Sequence, residues 1–93
     1  MMGFMAKHVL KKVRMYAMDS CPYCHRAEQL LRLKGVPLEK LSVEHAPELY
    51  REMVRVSGRR TVPQIFIGDT HIGGYDDLAE LDADGKLDGL LRD

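Results

Sequence analysis

Apolar and polar residues alternate over Val13–Ala17 (VRMYA), with Val13 and Met15 on one face, and this predicts a β-strand. The pattern changes at Asp19-Ser20, two residues suited to capping a helix. From Pro22 onward Ala27, Leu30, Leu31 and Val36 fit an amphipathic helix among polar neighbours. Proline is tolerated in the first turn of that helix, and Gly35 suits its C-terminal end. A second strand is expected within Pro37–Val43 (PLEKLSV). Pro47 then opens a helix through ELYREMVRVS that Gly58 closes. Gln64–Ile67 and Thr70–Ile72, separated by the tight turn Gly68-Asp69, predict a hairpin. Gly73-Gly74 breaks it. Tyr75–Leu81 starts a third helix whose early Asp76 and Asp77 suit the positive end of the helix dipole, and a short last helix is expected near Lys86–Leu91.

The order strand, helix, strand, helix, strand, strand, helix implies an α/β fold with a small mixed sheet, a right-handed crossover in front and an antiparallel hairpin behind. The 93 residues suffice for one domain with a modest core, and no repeat, linker or low-complexity segment divides residues 1–93. Residues 1–11 read as an N-terminal extension whose only argument for order is Val9-Leu10. Fourteen Lys and Arg balance fourteen Asp and Glu, so no overall field attracts nucleic acid or an anionic membrane, and any charge-based recognition is local. The apolar runs in MMGFMAKHVLKKVRMYAM are too short for a signal-peptide core or a membrane span, which predicts a cytoplasmic protein.

That compartment changes the meaning of the two cysteines, Cys21 and Cys24. A small secreted scaffold would carry several disulfides; two close cysteines in a reducing compartment point to chemistry. At the start of a helix, a C-x-x-C pair brings both sulfurs onto the first turn, where a disulfide closes a very small ring without refolding. The helix end favours a thiolate at Cys21, making it the natural nucleophile and Cys24 the resolving thiol. Two other readings stand beside this one. The pair could be inert buried thiols, or half of a zinc site, although the remaining ligands would have to come from His8, His25, His45 or His71, none at ligand-like spacing. Thr61-Val62-Pro63 is either an ordinary strand entrance or, with a cis bond before Pro63, a place where the Val62 N–H and C=O are free for an extended peptide-like substrate. Gly73-Gly74-Tyr75-Asp76-Asp77 is either a plain turn and cap or a set of N–H groups for a carboxylate, with Asp76 or Asp77 for an amine.

C-P-Y-C at 21–24, T-V-P at 61–63 followed by QIFI, and G-G-Y-D-D-L at 73–78 together resemble glutaredoxins, most closely the small bacterial dithiol ones, from about Val13 to Leu91. The resemblance implies a thioredoxin-like fold with a four-stranded mixed sheet flanked by helices, a cis Pro63, and glutathione as reducing co-substrate with no tightly bound cofactor or metal. It implies a glutathione-dependent thiol-disulfide oxidoreductase in which Cys21 and Cys24 are catalytic and the tripeptide lies along Tyr23, Thr61, Val62, Pro63, Gly74, Asp76 and Asp77. The implied partners are disulfide-containing or glutathionylated proteins, and the protein is expected to be a monomer. An alternative in the same family is a glutathione-ligated iron-sulfur cluster shared by a dimer through Cys21, which Pro22 disfavours by stiffening the loop. The chain departs from the family's pattern at Met18, where relatives usually carry lysine. A thioether cannot replace an ammonium charge, so Arg60, beside Thr61, is expected to take over part of that electrostatic work.

Overall fold

The structure is a computed structural model and describes residues 10–92. Four strands and four helices follow one another as β1 (Val13–Ala17), α1 (Pro22–Leu33), β2 (Leu38–Ser42), α2 (Pro47–Ser57), β3 (Gln64–Ile67), β4 (Thr70–Gly73), α3 (Tyr75–Ala83) and α4 (Leu87–Leu91). The sheet order is β2-β1-β3-β4. The β1–β2 pair is parallel, and α1 is its crossover; β3 runs antiparallel to both β1 and β4. This is the four-stranded mixed sheet flanked by helices that the sequence implied.

Alternation along the strands divides the interior into two layers. Val13, Met15 and Ala17 of β1 and Ile65 and Ile67 of β3 face one side, where they pack with Ala27 and Leu31 of α1, Leu78 of α3, and Leu87 and Leu91 of α4. Tyr16 and Phe66 face the other side and pack with Val43 and with Met53 of α2. Each fully buried leucine contributes roughly 1.5–3 kcal/mol relative to exposure, so the larger layer holds α1 and α3 together on one face of the sheet. The ends of α1 and α2 are set by local chemistry. Pro22 and Pro47 occupy first-turn positions where no N–H is needed, and Gly58 closes α2 at φ 72° with its N–H donating to Val54 O at 2.8 Å.

The structure shifts some expected edges. Strand β4 runs through Gly73 and helix α3 through Ala83, each slightly beyond the apolar pattern that announced it. At the end of the extension, Leu10 bridges Arg92, and Lys11 N–H donates to Leu91 O at 2.7 Å. Val9 and the rest of that extension lie outside the described residues.

Candidate functional site

Cys21 itself, not Asp19 or Ser20, caps α1. With Pro22 at the first helical position, the residue before it is the cap, and Cys21 Sγ accepts the Cys24 backbone N–H at 3.4 Å. Asp19 and Ser20 are used elsewhere: the Asp19 N–H and the Ser20 hydroxyl each donate to the Glu44 carboxylate at 3.1 Å, which fastens the turn before the cysteine. The sulfur of Cys21 therefore meets an unpaired helix N–H in a first turn that carries no acidic residue to oppose a thiolate.

Both cysteines are free thiols, but their surroundings differ. Cys21 is half-buried, and in its thiol form it reaches Val62 O at 3.9 Å. Cys24 is buried at 3% exposure on the inner face of α1. Burial, chiefly, pushes the Cys24 thiol up to about 12, against a smaller downward pull from the Met18 backbone. At neutral pH Cys24 holds its proton, and Cys21 is the sulfur that solvent and substrate can reach.

Beside Val62 lies a cleft of about 300 Å³ lined by Tyr23, Arg59, Thr61, Val62, Pro63, Gln64, Gly74, Tyr75, Asp76 and Asp77. The Val62–Pro63 peptide bond is cis. Tyr23 and Tyr75 face each other across one wall with ring centroids 6.2 Å apart, and the Arg26 guanidinium sits 5.4 Å from the Tyr23 ring. Gly73 adopts φ 120°, and a side chain there would run into the Asp77 carboxylate. That carboxylate is fixed: Asp77 Oδ2 accepts the Gly74 N–H at 2.9 Å and Arg59 Nη1–H at 3.3 Å. The Gly74 amide first, and Arg59 second, hold Asp77 below the usual carboxylate range.

Seven of the positions expected along the tripeptide, Tyr23, Thr61, Val62, Pro63, Gly74, Asp76 and Asp77, thus meet in one cleft beside Cys21. Arg60 does not. Its neighbour Arg59 lines the cleft, while Arg60 lines a separate depression on the α2 side. Asp77 is engaged by the protein's own amide and guanidinium, which leaves the exposed Asp76 as the freer carboxylate. His25, exposed on α1, donates from Nε2 to Asp19 O at 2.6 Å.

Sequence reasoning missed Gln64. It opens β3, is fully buried, and is the only buried polar side chain among the described residues. Its amide Nε2 donates to Thr61 O at 2.9 Å and to Thr61 Oγ1 at 3.3 Å, while its Oε1 accepts His71 Nε2–H at 2.8 Å. His71 is held in turn by its ring against Phe66, centroids 4.8 Å apart. A brace thus runs from the edge strand β4 through Gln64 to the loop that carries Val62. The sequence signal was a polar residue on the sheet face that Tyr16 and Phe66 fill with aromatic side chains, where a buried amide must be paired at both ends.

A helix-capping thiol that is accessible, a buried partner one turn inside, and a polar cleft at the cis-proline loop are the working parts of a thiol-disulfide oxidoreductase on a thioredoxin-like scaffold. The glutaredoxin family model matches residues 13–72. Glutaredoxin 3 of Escherichia coli (strain K12) is 51% identical over 83 residues, which is 89% of this chain and 100% of that protein. The solution structure of the glutaredoxin from Brucella melitensis has a TM-score of 0.79 at 48% identity, covering 90% of this chain and 91% of that one. The buckwheat glutaredoxin-glutathione complex has a TM-score of 0.78 at 30% identity, covering 85% and 74%. This chain belongs to the glutaredoxin family. It is a glutathione-dependent disulfide oxidoreductase. Among the described residues, no helix is long and apolar enough to cross a membrane.

Proposed function

We propose that this protein reduces protein disulfides and glutathione mixed disulfides through Cys21 and Cys24, with glutathione bound in the cleft beside Val62. The observation that carries the reading is the position of Cys21 Sγ, which accepts a helix N–H at 3.4 Å and lies 3.9 Å from the carbonyl of a cleft residue. The extended tripeptide pairs with the N–H and C=O of Val62, its γ-glutamyl carboxylate meets the Gly74 end of α3, and its amine meets Asp76. Arg59, rather than Arg60, supplies the positive charge at the cleft wall. Being paired with Asp77, it does so with less force than a free cation.

The Cys21 thiolate attacks one sulfur of a substrate disulfide, the S–S bond breaks, and the departing thiolate takes a proton from solvent or from a nearby thiol. With a glutathionylated protein the product is a Cys21-glutathione disulfide and a free protein thiol. A second glutathione thiolate then attacks the bound glutathione sulfur, releasing oxidised glutathione and the Cys21 thiolate. With a protein disulfide, the first attack leaves a mixed disulfide between Cys21 and the substrate, and Cys24 then attacks the Cys21 sulfur. The two sulfurs form the internal disulfide, and the leaving substrate thiolate accepts the proton that burial had kept on Cys24. Two glutathiones then reduce that disulfide, giving one molecule of oxidised glutathione. The test is turnover coupled to glutathione and its reductase. Cys24→Ser keeps deglutathionylation and loses reduction of protein disulfides, and Cys21→Ser loses both. Substantial activity in Cys21→Ser overturns the assignment.

A further inference from the structure

The chain carries no net charge, yet its charges are sorted across the cleft. Beyond the cleft on the α3–α4 side stand Asp76, Asp77, Glu80, Asp82, Asp84 and Asp88 against Lys86 and Arg92; Lys34 pairs with Asp82 and Asp88 and Arg59 with Asp77, which leaves Asp76, Glu80 and Asp84 without a salt bridge among the described residues. On the other side, α2 and the turn after it carry Arg51, Arg55, Arg59 and Arg60 against Glu48 and Glu52. The acidic residues of α2 do not neutralise this patch: the Glu52 carboxylate is turned to accept the buried Tyr16 hydroxyl, and Glu48 sits in the first turn, where the helix end favours it.

Arg51, Arg55 and Arg60 are exposed, and none forms a salt bridge among the described residues, whereas Arg32, Lys34, Lys40 and Arg59 each do. The three unpaired arginines line one depression of about 310 Å³ floored by Tyr50 and Val54. Arg55 lies in the last turn of α2, where the helix end favours a cation, but Arg51 and Arg55 stand four residues apart, a like-charge spacing that works against the helix, and neither has a salt-bridge partner among the described residues. The depression also leads to the reaction centre. The Tyr50 hydroxyl donates to Arg60 O at 3.2 Å, and Arg60 precedes Thr61 and Val62 of the cleft.

We propose that Arg51, Arg55 and Arg60 form a docking surface for an acidic stretch of the substrate protein that lies next to its reactive disulfide or glutathionylated cysteine. The guanidinium fork matches carboxylates in pairs, and the aliphatic and aromatic floor gives the stretch a dry contact. A chain lying on this surface enters the cleft past Arg60 and delivers its sulfur to Cys21, while its flank on the α3 side meets carboxylates and is best left neutral or basic. The surface acts on encounter and orientation, so its contribution falls as salt screens it. It rests on the reading that Cys21 and the cleft process glutathionylated proteins.

The test compares two glutathionylated peptides identical except for a run of aspartates or of lysines on one side of the cysteine. A third substrate is the small neutral mixed disulfide of glutathione and 2-mercaptoethanol. At low ionic strength kcat/KM for the aspartate peptide exceeds that for the lysine peptide by about fivefold, as two or three exposed charge pairs allow, and the preference shrinks at high ionic strength. The double variant Arg51→Glu with Arg55→Glu abolishes or inverts the preference and turns over the small disulfide at the wild-type rate; Arg51→Gln with Arg55→Gln, which adds no new charge, abolishes it. Equal rates for the two peptides, a preference retained in both double variants, or competition by a single-stranded RNA oligonucleotide as strong as by the free aspartate peptide overturns the docking surface. Failure of the wild type to turn over the small disulfide overturns the underlying function, and the docking proposal with it.

Discussion

Replacing Gly73 by alanine strikes the joint where β4 turns into α3. The added Cβ would overlap Asp77 Oδ2 and lie 2.8 Å from its Cγ and 3.2 Å from Arg59 Nη1, with the backbone held at φ 120°. Three costs follow. A non-glycine residue in that region of backbone space costs about 1–3 kcal/mol. Displacing the Asp77 carboxylate removes the hydrogen bond that satisfies the Gly74 N–H at the start of α3, about 1 kcal/mol. The exposed Arg59–Asp77 pair, with both side chains about half accessible at 50% and 45%, adds little, about 0–1 kcal/mol. Together they come to roughly 2–5 kcal/mol, and for a domain of this size the melting temperature falls by at least about 8 °C. Thermal unfolding followed by circular dichroism measures it. Asp77→Asn, which keeps the shape and an acceptor oxygen while removing the charge, is the control and loses less. A Gly73→Ala protein that melts within about 2 °C of wild type, equivalent to well under 1 kcal/mol, would refute the claim that the Asp77 carboxylate occupies the space above Gly73.

Gln64→Leu removes the brace between His71 and Thr61; because Thr61 is exposed and can recruit water, stability falls by only about 1–2 kcal/mol, whereas KM for a glutathione mixed disulfide rises severalfold with the alkylation rate of Cys21 unchanged. The acid limb of stability belongs in part to Asp77. Its folded value lies below 3.8, so its contribution is complete above that pH and is lost as pH falls through the lowered value; an acid-denaturation profile of Asp77→Asn that matches wild type contradicts this. At the alkaline end the sign is opposite. Cys24 and Tyr16 are both pushed up to about 12, so the folded chain retains protons that the unfolded chain releases, and stability falls as pH rises from about 9; Cys24→Ala flattens the first part of that decline. Limited alkylation of the reduced protein at neutral pH, mapped by mass spectrometry, modifies Cys21 and spares Cys24; labelling at comparable rates refutes the assignment of roles.

The element order was legible because the signals were periodic or punctuated: the alternation of Val13 and Met15, Pro22 and Pro47 in first turns, Gly58 at a left-handed cap, and Gly68-Asp69 between two short apolar runs. The apolar pattern could not fix ends where a residue outside it continues the backbone ladder, as at Gly73, or the helix, as at Asp82 and Ala83. Leu10, half of the one argument for order in the extension, is held together with Lys11, but the partners that hold them, Leu91 and Arg92, lie at the far end of the chain where local pattern cannot find them. The same limit separates the two arginines. Adjacent in sequence, Arg59 and Arg60 point to different depressions, and only the fold shows Asp77 beside the first. Gln64 was missed for a related reason: its place on the face shared with Tyr16 and Phe66 was legible, but the partners that let it be buried, His71 and Thr61 at the two ends of its amide, are set by the fold.

The central claim is that Cys21 carries glutathione in the cleft that Val62 and Gly74 help to line. Cys24→Ser protein treated with oxidised glutathione, then examined by peptide mapping and by amide chemical-shift changes, tests it in one preparation. The account predicts a single glutathione adduct on Cys21, with the largest shifts at the amides of Thr61, Val62 and Gly74 and small ones along α2. An adduct that forms on Cys21 while the Val62 and Gly74 amides stay where they were, or no adduct on Cys21 at all, contradicts it.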